Sequence, residues 1–224
     1  MESSMSCMQM IKFSLSKLVM EFTGTLFFTM FFTAGASLTV DLSDITGIDT
    51  SYNFSGTSQS IILLGLWILN VFFWKISGSH FNPAVTFAFM FRRDERKMHW
   101  KLAVAYIVCQ LAGGYVGALL VNFYTFNLQE LDFEGSFFLR ALCQEFLCSF
   151  VYVFFFMANT DEKLLFSNEK AINCFILAAS YVGARAIFNG QAQTATLVYG
   201  AVMNPATALG ICMSTLFNDG FSAF

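Results

Sequence analysis

The stretches FNPAV, residues Phe81–Val85, and MNPAT, residues Met203–Thr207, decide how this chain folds. Together they contain both of its prolines. Asn is favoured immediately before a helix, and Pro is favoured at the first helical position, where its missing N–H costs nothing. Each Asn-Pro-Ala triplet is therefore predicted to start a helix. The two triplets consist of Asn82, Pro83 and Ala84 and of Asn204, Pro205 and Ala206.

The composition places most of the chain in membrane lipid. Of its 224 residues, 56% are hydrophobic and 12% are charged, whereas soluble domains carry about 25% charged residues. Residues Leu102–Phe126 include no charged side chain, and a helix that crosses a bilayer needs about 20 apolar residues. The sequence therefore predicts an all-α transmembrane protein. Its five full spans are expected near residues 14–40, 59–77, 100–125, 137–160 and 171–188.

Two apolar segments that follow the triplets, residues 82–91 and 204–216, are too short to cross a bilayer. A helix can start inside a membrane only where its free backbone groups are buried in protein or line a water-filled cavity. We therefore predict two re-entrant half-helices that enter from opposite sides and meet at their N-termini.

The order of segments repeats along the chain. Glu21-Phe22 precedes the first triplet by 61 residues, and Glu145-Phe146 precedes the second by 59. Because the first half contains three spans, an odd number of crossings separates the two copies, and they are inverted relative to each other. Interrupted helices in inverted repeats mark a site in mid-membrane. The predicted divisions are a first repeat over residues 1–125, an outer connecting loop over 126–136 and a second repeat over 137–224.

The distribution of charge predicts the orientation. The run RRDERKMHWK, residues 92–101, carries five basic residues, whereas residues 41–58 contain three Asp and no Lys or Arg. Basic loops stay in the cytoplasm, so we expect a cytoplasmic N-terminus in a multi-pass protein. We interpret the basic run as a solvated loop that contacts anionic lipid, and we expect no nucleic-acid partner.

The predicted junction of the half-helices favours a passive channel over an enzyme. Each helix N-terminus carries about half a positive charge, and the two Asn side chains add amide donors. Water or an alcohol accepts hydrogen bonds there, whereas a cation or a proton is repelled. The six cysteines are scattered without metal-ligand spacing, so we expect neither disulfide, metal nor cofactor.

The segments SGSHFNPAV (Ser77–Val85) and MNPA, the Glu-Phe pairs that open both halves, and YIVCQLAGG (Tyr106–Gly114) resemble the aquaporin, or major intrinsic protein, family over nearly the whole chain. The resemblance implies a homotetramer with one pore in each subunit. It also implies that Glu21 and Glu145 are structural acids that accept hydrogen bonds from the re-entrant loops, and that His80 lies in the pore vestibule. Small residues predict close helix packing; they are Ala112, Gly113, Gly114, Gly117 and Ala118.

The chain departs from the family at the selectivity filter. An Arg usually follows the second triplet, and in glycerol-conducting relatives an Asp comes next; here these positions hold Thr207 and Ala208. The other filter positions match Ala201, Ala184 and either Ile62 or Leu64. Such an apolar filter predicts passage of water and small neutral solutes such as glycerol or urea.

Arg185, beside the filter position on the last full span, allows two interpretations. It supplies the missing filter charge from a different helix, or it extends to the outer membrane interface. The second interpretation is the one that the sequence favours.

The family has a sixth span where this chain ends, at residues 217–224. The sequence is therefore expected to be a fragment, to be completed by another subunit, or to be a non-conducting member with a structural or assembly role. A proton-coupled transporter that uses the two glutamates is a further alternative, disfavoured because the helix N-termini repel protons. Asn53, in the sequon Asn53-Phe54-Ser55, is a candidate glycosylation site in an outer loop.

Overall fold

A computed structural model describes residues 14–37, 56–125, 138–189 and 201–219. Strands are absent from these ranges, which confirms the all-α fold. Asn53 and the connecting loop 126–136 lie outside the described residues. The described residues form α1 (Leu15–Ser37), α2 (Gly56–Ser77), α3 (Pro83–Met90), α4 (Trp100–Thr125), α5 (Phe138–Asn159), α6 (Lys170–Asn189) and α7 (Pro205–Asp219).

Four of these helices, α1, α2, α4 and α5, are long and apolar enough to cross a membrane. The fifth predicted span coincides with α6, whose 20 residues extend about 30 Å. Helix α3 has 8 residues and α7 has 15, lengths of about 12 and 22 Å that fall short of a bilayer core. The chain is thus an integral multi-pass membrane protein with two short helices.

Helix α4 lies in direct backbone contact with α1 on one side. A Cβ placed on Gly113 would lie 2.3 Å from the carbonyl oxygen of Phe22, and one on Gly117 would lie 2.4 Å from that of Leu26. Only hydrogen fits in these gaps, so glycine sets the distance between the two helices.

The neighbouring face of α4 contacts α7 equally closely. A Cβ on Gly114 would lie 2.4 Å from the carbonyl oxygen of Ala206, and one on Gly210 would lie 2.4 Å from that of Gly114. Ala118 is buried as well, but Ala112 is exposed. The prediction that Ala112 belongs to the packed face is therefore wrong, since that side chain points away from both neighbours.

The apolar core runs between α1, α2, α5 and α6. Phe28 of α1 contacts Tyr181 of α6 edge to face, with ring centroids 5.2 Å apart. Tyr152 of α5 contacts the same tyrosine at 5.0 Å. These aromatic contacts connect the two repeats at the level where the short helices begin.

Candidate functional site

The two short helices begin in the same way. Asn82 has extended backbone, and its side-chain oxygen accepts a hydrogen bond from the N–H of Ala84 at 2.8 Å. The side-chain oxygen of Asn204 accepts from the N–H of Ala206 at 3.0 Å. Each amide thus caps its own helix, and a Pro occupies the first helical position of both.

The same two side chains bind the repeats to each other. The Nδ2 of Asn82 donates to the carbonyl oxygen of Met203 at 2.8 Å, and the Nδ2 of Asn204 donates to that of Phe81 at 2.9 Å. Each acceptor is the residue immediately before the other triplet. Helices α3 and α7 are therefore held N-terminus to N-terminus, and each amide nitrogen keeps a second N–H.

Both residues that precede the triplets have strained backbone. Phe81 has a φ of +47° and Met203 a φ of +53°, a left-handed conformation that is uncommon for bulky side chains. Such strain costs about 1–3 kcal/mol and persists only where the surroundings fix it. Here the carbonyl oxygen of each residue accepts from an Asn and its N–H donates to a carboxylate, so both sides of each residue are fixed.

Glu21 of α1 is the carboxylate of the first loop. It is fully buried and accepts from the N–H of His80 at 3.1 Å and from that of Phe81 at 2.7 Å. Gln110 of α4 donates to the same carboxylate at 2.8 Å. Gln110 was not among the predicted residues, although a polar residue in an uncharged span is a usable signal.

Glu145 of α5 is the carboxylate of the second loop. It accepts from the N–H of Val202 at 2.6 Å and from that of Met203 at 2.8 Å. The arrangement repeats that of Glu21, so both acids lie against the loop that precedes their triplet.

His80 lies between the triplet junction and a cavity of about 480 Å³. Its Nδ1 lies 3.1 Å from the hydroxyl of Thr86. The cavity opens at the end of the bundle that carries the basic loop 92–101, which we call the basic end. Its lining includes Trp74, Ser77, Arg96, Asn159, Glu162, Lys170 and Asn173.

Two ion pairs organise the loops of the basic end. Arg96 bonds Glu162 at 2.9 Å, and Arg92 bonds Asp94 while donating to the hydroxyl of Thr160 at 2.7 Å. The hydrogen bond from the guanidinium holds the pKa of Asp94 below its ordinary value. In the described part of the chain, no three His, Cys, Asp or Glu side chains are placed to bind a metal ion.

The centre of the bundle contains a gap with no room for a sphere the size of water. Aromatic rings missed by the sequence analysis close it, although a signal exists: Phe28 follows Glu21 by seven residues, and Tyr152 follows Glu145 by seven. The gap is lined by Phe28, Leu66, His80, Phe81, Asn82, Tyr152, Tyr181 and Asn204.

The predicted filter residues are not all inside. Ile62 is 1% exposed, whereas Leu64 is 48% exposed. The prediction that Leu64 faces the pathway is therefore wrong, because two residues along a helix are separated by about 200°. Ala184 and Ala201 are buried in the same apolar cluster as Ile62.

Thr207, which follows the second triplet, is fully buried. Its hydroxyl oxygen lies 2.9 Å from that of Thr29 on α1. Thr29 was also missed; it belongs to a buried stripe at intervals of four residues with Glu21, Thr25 and Thr33, and that spacing is visible in the sequence.

Arg185 of α6 is inside the protein. Its side chain is 3% exposed, and its guanidinium carbon lies 4.4 Å from the ring centroid of Phe32 on α1. The interpretation that it extends to the membrane interface is therefore wrong. A cation stacked on an aromatic face in this way is attracted by the ring.

The sequence model of the family described as Major intrinsic protein matches residues 8–211. The chain is 28% identical to Aquaporin-7-2 of Laccaria bicolor, over 91% of this chain and 64% of that protein. It is 29% identical to Aquaporin NIP1-1 of Oryza sativa subsp. japonica, over 89% and 64%, and 32% identical to Nodulin-26 of Glycine max, over 88% and 66%. The chain thus spans slightly less than two thirds of the length of these relatives.

Proposed function

Because the chain belongs to the major intrinsic protein family, we propose that it forms a passive transmembrane pathway for water and small neutral solutes. The observation that carries this proposal is the reciprocal pair of hydrogen bonds from Asn82 and Asn204, which places two helix N-termini at one point beside the central gap.

The electrostatics of this junction support neutral cargo. The N-termini of α3 and α7 each contribute about half a positive charge, and each Asn amide has a further N–H for a passing oxygen. A water or alcohol molecule exchanges one set of hydrogen bonds for another there. A cation or a proton meets two positive helix ends and is excluded.

The two loop-binding glutamates, Glu21, which is fully buried, and Glu145, which is half-buried, support a passive mechanism rather than proton coupling. Each carboxylate accepts two backbone N–H groups of a strained loop. Hydrogen bonds to a charged acceptor are among the strongest in proteins. Protonation would weaken the bonds that hold the triplet loops, so a transport cycle through Glu21 or Glu145 would dismantle the junction.

The filter side of the pathway determines the solute. We propose that Ile62, Ala184, Ala201 and Thr207 line it and that it passes small uncharged solutes of the size of glycerol or urea. Ile62, Ala184 and Ala201 belong to one buried apolar cluster and Thr207 is fully buried, which supports this assignment. The ring of Tyr181 contacts that of Phe28 across the gap, so passage requires these rings to move apart.

The proposal includes an orientation and an assembly. The basic loop would face the cytoplasm and place the N-terminus there. The protein would assemble as a homotetramer, using some of the apolar side chains that the single chain exposes, such as Phe72 and Phe123. Native mass spectrometry of the detergent-solubilised protein tests the assembly; a monomer at all protein concentrations would refute it.

Permeability measurements test the proposed function directly. The purified chain is reconstituted into liposomes, and stopped-flow light scattering records volume changes under gradients of sucrose, glycerol or urea. We expect water flux well above that of empty liposomes and entry of at least one of the two smaller solutes. Rates equal to those of empty liposomes under all three gradients would refute the proposal.

A matched pair of variants on one helix tests the pathway. Ile62→Phe enlarges a buried side chain that we place beside the pathway, whereas Leu64→Phe adds the same ring to an exposed position two residues away. We expect the first variant to lower water permeability several-fold and the second to leave it unchanged. Equal fluxes in two variants that are equally folded would show that Ile62 does not line the pathway.

A further inference from the structure

Helices α1 and α6 contact each other twice, at positions four residues apart on both helices. Phe28 contacts Tyr181 with ring centroids 5.2 Å apart, and Phe32 lies under Arg185 at 4.4 Å. The first contact lines the central gap together with the two triplet asparagines. Four residues advance a helix by about 6 Å, so the second contact lies one turn further along the same wall.

This second contact lies on the side of the junction away from the basic end. Helix α6 begins at Lys170, which lines the basic-end cavity together with Asn173 and Cys174. Tyr181 is at the level of the junction, and Arg185 comes one turn later. The guanidinium therefore lies on the same side of the junction as Ala184, its neighbour in sequence and one of the predicted filter residues.

The position usually charged in this family is neutral here and lies close by. The hydroxyl of Thr207 pairs with that of Thr29, which lies between Phe28 and Phe32 on α1. Thr207 and Arg185 therefore contact the same turn of α1. Ala184 and Ala201, the other predicted filter residues nearby, are both small and buried.

A buried charge in a membrane helix is expensive and marks a functional position by default. Arg185 is such a charge, since its side chain is buried almost completely.

We propose that Arg185 is the specificity-determining cation of the filter, supplied by α6 in place of the residue after the second triplet. Its guanidinium donates hydrogen bonds to the oxygen of a neutral solute and repels small cations. Thr207 leaves the space that the guanidinium occupies. This inference rests on the proposed function.

Proteoliposomes with Arg185→Gln and Arg185→Lys test the assignment, with water flux and methylammonium entry measured on each at acidic pH, where the amine is charged. Because a fixed unit charge in a poorly screened site acts strongly over several ångströms, Arg185→Gln should raise the ratio of methylammonium to water permeability by about tenfold or more. Arg185→Lys should retain exclusion, since it keeps the charge. The double variant Arg185→Gln/Thr207→Arg should restore exclusion by moving the cation to the other helix.

Melting temperature and elution volume in detergent establish that each variant is folded. If Arg185→Gln does not fold, the double variant Arg185→Gln/Thr207→Arg replaces it as the test. A double variant that folds and excludes methylammonium supports the assignment, and one in which Thr207→Arg does not substitute for Arg185 overturns it. Water flux in Arg185→Gln with an unchanged permeability ratio also overturns it, while leaving the proposed function intact. Absence of water flux in the unmodified protein refutes the proposed function and this inference with it.

Discussion

Replacing Gly114 by Ala should destabilise the junction through a helix contact that has no spare room. The new Cβ would lie 2.4 Å from the carbonyl oxygen of Ala206 and 2.7 Å from its carbonyl carbon, whereas ordinary contact begins near 3.4 Å. Both atoms belong to backbone, so the start of α7 must move away from α4 by about 1 Å.

The cost follows from what that displacement disturbs. Overpacking in a buried contact costs about 1–3 kcal/mol. If the start of α7 moves this far from α4, the 2.9 Å hydrogen bond from Asn204 to the carbonyl oxygen of Phe81 is stretched beyond hydrogen-bonding range. Losing that bond costs about 1–3 kcal/mol, because it leaves a buried polar group without a partner. The combined loss of about 2–6 kcal/mol should lower the melting temperature by roughly 4–24 °C.

Thermal unfolding in detergent and water flux in liposomes measure this effect, and two other glycines provide matched controls. No atom lies within 4 Å of a Cβ on Gly183, so Gly183→Ala should leave the melting temperature unchanged or raise it slightly, because Ala is the better helix former. Gly117→Ala meets the backbone of α1 instead of α7 and should lower stability with less effect on flux. A melting temperature of Gly114→Ala equal to that of the unmodified protein would refute the reasoning.

Three further changes have definite expected results. Glu145→Gln leaves one of the two backbone N–H groups without an acceptor and the other with a neutral one. It should cost about 2 kcal/mol, seen as a lower melting temperature, and an unchanged value would show that the second loop is held otherwise. The pKa of Asp94 is lowered, chiefly by its hydrogen bond with Arg92. The pair therefore stabilises the fold at pH values above the ordinary aspartate pKa of about 3.9. This contribution is lost as the pH falls through the lower pKa that Asp94 has in the folded protein. The melting-temperature difference from Asp94→Asn should therefore be small and constant from about pH 5 to 8 and shrink in strong acid; a change near neutral pH would contradict this. Glu162→Gln removes an exposed ion pair with Arg96 and should shift the melting temperature by less than about 2 °C, so a large loss would show that the pair supports the fold.

The features that could be predicted from the sequence are those decided within one helical turn. An Asn-Pro pair determines a helix start locally, and α3 and α7 begin at Pro83 and Pro205 as a result. The excess of apolar residues likewise determines the all-α membrane fold without reference to packing. The family follows from the same triplets and their repeat context.

The features that could not be predicted depend on which side of a helix faces the protein. In a span that is apolar all round, core and lipid positions carry the same chemistry, so the 3.6-residue pattern that orients a soluble helix is absent. Leu64 and Ala112 were misplaced for this reason. Arg185 was misplaced for a related reason. A charged side chain in a span can reach the membrane interface or be buried inside the protein, and only the packing decides between the two.

The residues missed altogether act across long distances in sequence. Thr29 meets Thr207 at a separation of 178 residues, and Gln110 meets Glu21 at 89. No local pattern encodes such partners. The internal repeat is the one signal that helps, since it assigns Phe28 and Tyr152 to equivalent positions in the two halves.

The reciprocal asparagine bonds have a consequence for biogenesis. As the ribosome delivers the chain, the loop before α3 acquires its bonds to Glu21 early, because both groups belong to the first half, 60 residues apart. Its bond from Asn204 must wait for a residue made 123 positions after Phe81. The first half therefore enters the membrane with its strained loop only partly fastened, and arrival of the second triplet completes both loops in a single event. Membrane insertion and final closure are thus separate steps, and the second requires both halves in one bilayer at the same time.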